Sequence, residues 1–201
     1  MKKTILLSLV LSLAIALPTL SVGQTLTVTA SDSQHVSLHF ELGDFGFDTV
    51  RCQGELMQTI VTKGIVAPNE QGLPDLPTFN RFIAIPQGAK AVVEMRTTRD
   101  ERITGINIAP SMGSIAENDP VPPLAKDTKT YSINALYPET SLVVAEPQQL
   151  RGVDVIHLGL CPFQFNPVTR ELAVHHEMDI EIRFEGGNGH FGQMSRTRER
   201  L

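Results

Sequence analysis

Thirteen residues near the C-terminal end, Leu172 to Phe184, alternate without a break. Leu172, Val174, His176, Met178, Ile180, Ile182 and Phe184 fall on one side. Ala173, His175, Glu177, Asp179, Glu181 and Arg183 fall on the other. A strand turns successive side chains to opposite faces, so this pattern buries one face and wets the other. Just upstream, Asn166-Pro167-Val168-Thr169-Arg170 has turn chemistry, and Val153 to Leu160 is a second apolar run. The reading is a β-hairpin of these two runs.

The rest of the chain follows the same period. Leu26–Ala30 alternates, and so does Val36–Leu42, with Val36, Leu38, Phe40 and Leu42 inward and His35, Ser37, His39 and Glu41 outward. Leu56–Val61, Phe79–Ile85, Tyr131–Leu136 and Leu142–Ala145 read as further strands. Ala91–Thr98 and Arg102–Ile108 read as a hairpin turning at Arg99-Asp100-Glu101. No window of about 11 residues carries helical periodicity. About ten short strands with regular punctuation predict an all-β fold, an antiparallel β-sandwich of jelly-roll type. Two segments resist strand pairing. Residues 69–77 hold a glycine and two prolines. Residues 110–130 hold Pro110, Pro120, Pro122 and Pro123 and are too long for an idle connector.

The ends read differently from the middle. Met1-Lys2-Lys3, the apolar run Ile5–Leu17, Pro18 and the small residues before Gln24 form a secretory signal peptide, with cleavage expected after Gly23. The expected division is therefore a signal peptide at 1–23, a sandwich at 24–186 and a flexible basic tail at 187–201 carrying Arg196, Arg198 and Arg200. Loss of Lys2 and Lys3 leaves 15 basic against 22 acidic residues, a net charge of −7. Such a balance argues against nucleic acid or anionic membrane as a partner, and the signal peptide implies a secreted protein, extracellular or periplasmic. Cys52 and Cys161 are the two cysteines. A disulfide and two buried thiols both stay open.

Catalytic constellations are hard to assemble. His175 and His176 are strand neighbours on opposite faces. His35 and His39 share a face but stand roughly 13 Å apart along a strand, too far for one ion. Cys161 precedes Pro162 at the end of an apolar run, which suits a structural thiol. Glu177, Asp179 and Glu181 read as a solvated outer face. No phosphate-binding loop or zinc signature occurs. No catalytic residue, metal ligand or cofactor is expected.

Three segments in order resemble the N-terminal propeptide of the gingipain family of secreted cysteine peptidases. They are Gly72-Leu73-Pro74-Asp75-Leu76-Pro77 with the strand to Ile85; Ile106-Asn107-Ile108-Ala109-Pro110-Ser111-Met112-Gly113 continuing to Ala116-Glu117-Asn118; and Tyr137-Pro138 with Arg151-Gly152, then Pro162–Thr169 and the long strand. The resemblance implies a β-sandwich prodomain that assists folding of a gingipain-like cysteine peptidase catalytic domain and keeps it latent. Its partner would stand in cis in a full precursor, or in trans, because this sequence stops at Leu201 without a catalytic domain.

The resemblance also implies a loop that covers the active-site cleft, here Ser111, Met112, Gly113, Glu117 and Asn118 with Lys126 and Lys129 beyond. In arginine-specific members a basic side chain of that loop fills the P1 pocket. Residues 111–125 contain no Lys or Arg. Three alternatives stay open: Lys126 or Lys129 takes that role, the cognate peptidase has another specificity, or the plug is lost. Arg196, Arg198 and Arg200 lie where processing would fall. The competing function is a secreted adhesion or carbohydrate-binding sandwich without a peptidase partner. The absence of Trp weighs against sugar platforms.

Overall fold

The computed structural model describes residues 23–64, 69–118 and 120–192. Residues 1–22 of the expected signal peptide and the arginines 196, 198 and 200 lie outside the described residues. In chain order the elements are β1 (Thr25–Ser31), β2 (His35–Glu41), β3 (Phe45–Cys52), β4 (Glu55–Thr62), β5 (Phe79–Ala84), β6 (Ala89–Thr104), α1 (Thr128–Tyr131), β7 (Leu142–Val144), β8 (Gln148–Leu150), β9 (Val153–Leu160), β10 (Phe163–Asn166) and β11 (Glu171–Gly186). The fold is all-β and its strand ladders are antiparallel, as the period-two patterning predicts.

The alternating run is the axis of the first sheet. One edge of β11 pairs with β6 along its whole length, from Glu171 opposite Thr104 to Gly186 opposite Ala89. The other edge is shared. β10 takes Glu171–Val174, β2 takes Glu177–Arg183, and β1 pairs outside β2. In the second sheet β9 is central, with β5 on one edge and β7 and β8 on the other. β3 and β4 form a separate hairpin.

The sheets close over one core because each presents an apolar row. Leu172, Val174, Met178, Ile180 and Ile182 of β11 pack with Val36, Leu38 and Phe40 of β2, and with Phe79, Ile156, Leu158 and Leu160 of the second sheet. The Phe40 and Phe79 rings meet across the interface at 5.8 Å between centroids. A smaller cluster of Cys52, Met57 and Ala109 lies under the β3–β4 hairpin, with Val50, Leu124 and Tyr131 against it. Cys52 and Cys161 are free thiols in separate clusters.

Three strand expectations need correction. First, Val153–Leu160 is not the hairpin partner of β11. That partner is β10, four residues long. β9 buries residues of both its faces, Val155 as well as Ile156, Leu158 and Leu160, which a central strand of the second sheet can satisfy. Cys161-Pro162 then carries the chain between sheets: the Cys161 amide donates to Ser141, and the Pro162 carbonyl accepts from His175.

Second, residues 91–108 are not a hairpin. Arg99, Asp100 and Glu101 lie inside the 16-residue β6, where the register slips against β11. Two of the three charges have partners there, Arg99 with Glu177 and Glu101 with His176. Third, Tyr131–Leu136 is not a strand. Asp127 accepts from the Thr130 amide at 2.7 Å and caps the helical turn α1 instead.

Candidate functional site

The long proline-rich segment is clamped at both ends. Going in, residues 107–111 run as a strut between β4 and the loop at 72–75. Gln58 donates to Asn107 and accepts from Ala109, both at 2.8 Å. On the other side Asp75 donates to Ala109, Ser111 donates to Leu73 at 2.7 Å, and Gly72 donates to Ser111 at 2.9 Å. Pro74 and Pro110 lie opposite each other in a single bridge. Neither proline has an amide to offer, which is why this pairing is a short bridge and no ladder. Asn107, Ile108, Ala109 and Ser111 are all buried.

Coming out, the Cys52 thiol donates to the Leu124 carbonyl at 3.3 Å, and the Asp127 amide donates to the Gly72 carbonyl at 2.9 Å. Gly72 thus ties both legs. Its φ is +86°, and a Cβ there would stand 3.2 Å from the Asp127 nitrogen, so glycine is required by conformation and by space. The Tyr131 hydroxyl donates to the Ile108 carbonyl at 2.9 Å, joining the outgoing leg to the ingoing strut. Burial raises the Tyr131 pKa far above that of a free phenol, so the group stays a donor.

Between the clamps the described residues, 112–118 and 120–123, arch into solvent. Met112, Ile115 and Val121 are exposed large apolar side chains, and Glu117 and Asn118 are exposed at a turn. The first anchor of the arch is Ser111. Its Oγ donates to the Asn69 carbonyl at 3.2 Å and accepts from the Gly113 amide at 3.0 Å. Ser111 is therefore structural, Gly113 turns the chain beside it at a φ of +74°, and Met112 is exposed between them.

The two lysines differ. The Lys126 ammonium lies 2.5 Å from a Glu55 carboxylate oxygen and 5.6 Å from the centroid of the Tyr131 ring. Glu55 also accepts from Asn107 at 2.8 Å and from Arg170 at 3.3 Å. Its carboxyl is held below the usual range, chiefly by the Lys126 hydrogen bond and charge. Lys129 is exposed on α1. Gly23 lies elsewhere, lining an open groove of about 460 Å³ with Glu41, Phe45, Arg99 and His176. Glu55, Gly72 and Tyr131 complete the clamp. Glu55 and Tyr131 carried no sequence signal for it, because their partners stand 71 and 23 residues away.

The histidines and acids are engaged within the sheets. His175 contacts Gln164 at 2.8 Å and Thr97 at 3.3 Å, His176 contacts Glu101 at 2.9 Å, and His39 contacts Asp179 at 2.8 Å. The acidic row Glu177, Asp179 and Glu181 is paired with Arg99, Arg96 and Ser37. Among the described residues no three His, Cys, Asp or Glu side chains converge to hold a metal ion. Gly187–His190 hydrogen-bonds back to Gln87, so the fold's contacts run past Gly186.

Comparison with known proteins points one way. The Propeptide_C25 family model matches residues 21–195. Gingipain R1 of Porphyromonas gingivalis is 28% identical over 146 residues, covering 72% of this chain and 15% of the relative. Lys-gingipain HG66 of the same organism is 23% identical over 170 residues, covering 81% of this chain and 10% of the relative. The chain thus spans less than a fifth of the length of these two curated relatives. The fold superposes on a solved complex of Porphyromonas gingivalis RgpB pro- and mature domains with a TM-score of 0.75. Identity there is 21%, and 87% of this chain and 92% of that one are covered. A structure addressing zymogenic latency of gingipain K gives a TM-score of 0.68 at 21% identity, over 81% of this chain and 93% of that one.

Proposed function

We propose, from the premise that this chain belongs to the Propeptide_C25 family, that it acts on a gingipain-like cysteine peptidase catalytic domain as latency inhibitor and folding assistant, and breaks no bond itself. The observation that carries this reading is the doubly clamped arch. Both of its legs are fixed by backbone hydrogen bonds to Gly72, so the two ends of the exposed segment are held in place before a partner is met.

In this reading the sandwich docks beside the cleft and residues 112–118 enter it, with Ser111 and Gly113 setting the direction and Met112, Glu117 and Asn118 facing the partner. Lys126 serves the clamp. A specific complex buries roughly 800 Å² per partner, which the arch and the adjoining body would share. Residues 1–23 direct export, Gly23 marks the signal-peptide cut, and Arg196, Arg198 and Arg200 offer processing sites.

The test is inhibition. Purified residues 24–201 should slow the gingipain-like peptidase of the same genome reversibly and in proportion to concentration, and should raise the yield of active enzyme on refolding. A folded chain that leaves the peptidase untouched at micromolar excess overturns the reading.

A further inference from the structure

We infer that the cleft filled by this arch takes an uncharged, apolar side chain in its specificity pocket. The inference rests on the propeptide reading above and specifies its partner. A side chain entering a closed pocket leaves water. A cation does so at low cost against an anionic or aromatic partner, and an apolar group against apolar walls. The arch therefore reports the pocket it fits.

The large side chains it exposes are Met112, Ile115 and Val121. Its charged residues in sequence are Glu117 and Asp119, with no Lys or Arg from 111 to 125. A pocket built to select a cation carries negative charge, and an acidic arch is repelled by it.

The nearest cations do not stand in. The Lys126 ammonium is 2.5 Å from Glu55 and over the Tyr131 ring. Withdrawing it would strip a partner from the carboxylate that also holds Asn107 of the strut. Lys129 comes after Asp127, whose amide is fixed to Gly72 and whose carboxylate caps α1. It therefore sits on the body, past the clamp, and not on the arch.

The experiment profiles the gingipain-like peptidase of the same genome on peptides that differ only at P1, with and without the purified chain. The inference expects kcat/KM at least tenfold higher after Met, Leu or Ile than after Arg or Lys, from an enzyme that the chain inhibits. Inhibition together with a tenfold preference for Arg or Lys overturns the inference and leaves the propeptide reading standing. Absence of inhibition overturns both. Met112→Arg with Ile115→Arg, both at exposed positions, should weaken inhibition tenfold or more at unchanged Tm, and an unchanged inhibition constant overturns the inference. For Lys129→Ala the expected change is under threefold, and a tenfold loss at unchanged Tm overturns it.

Discussion

The Tyr131 hydroxyl and the Ile108 carbonyl meet at 2.9 Å, and this one contact fastens the returning leg of the arch to its buried strut. Ile108 is fully buried. Tyr131→Phe leaves that carbonyl without this donor, so it should cost about 1–3 kcal/mol. Urea unfolding measures the cost. Inhibition by the variant should weaken in parallel, because the arch loses a fixed end.

Gly72 cannot accept a side chain without disturbing both legs. Gly72→Ala forces a φ of +86° on a residue with a Cβ and brings that carbon to 3.2 Å from the Asp127 nitrogen. The expected loss is about 1–2 kcal/mol from the left-handed backbone alone. Amide exchange at Asp127 and Ser111 should quicken more than exchange in β11.

Phe40→Ala opens a cavity where the two sheets meet, because its ring packs on Phe79 at 5.8 Å. The expected destabilisation is about 3–5 kcal/mol. Thermal unfolding checks it, and a loss below 1 kcal/mol would contradict the described core.

Acid should destabilise the fold in two stages. Burial lowers the His175 pKa from its usual 6.5, with Arg102 and His176 acting the same way and Asp100 against them. The unfolded chain therefore takes up that proton first, and stability falls as pH drops below 6.5. His175→Gln should remove this stage. Asp179, held down first by its hydrogen bond to His39, and Glu55, held down by Lys126, are both depressed. Their contribution is present above the unfolded carboxylate range and is lost as pH falls through their folded values. Unfolding free energies across pH 3 to 8, a range of about five units, separate the stages.

Neither cysteine should react while the chain is folded. Cys161 is buried and its thiol is pushed up to about 11 by desolvation, while Cys52 is fully buried under the β3–β4 hairpin. Alkylation at neutral pH should wait for denaturant and then label both.

The strand class, the inward rows of β2 and β11 and the lack of a regular strand among the described residues of 69–77 and 110–127 were legible in the sequence. So was the order of motifs that resembles a peptidase propeptide. The pairing of these two segments with each other was not. Each of the legible features is local. Alternation reads out a strand's two faces within a few residues, and a proline withholds its amide from a ladder wherever it stands. The mistaken pairings have a shared cause. Periodicity cannot tell which strand lies alongside, so the apolar run of β9 suits a hairpin with β11 as well as its actual place between β5 and β7. A run of charges resembles a turn until the partners that neutralise it are known, as Glu177 does for Arg99.

The sequence by itself determined that this chain alternates into sheets and keeps cations out of residues 111–125. Only the tertiary structure decided that Gly72, Glu55 and Tyr131 hold both legs of the arch, and that Lys126 belongs to the clamp. The reason is distance along the chain. A period of two is written in adjacent residues, whereas a lysine finds a glutamate 71 residues away only after the sheets have packed and brought the two together.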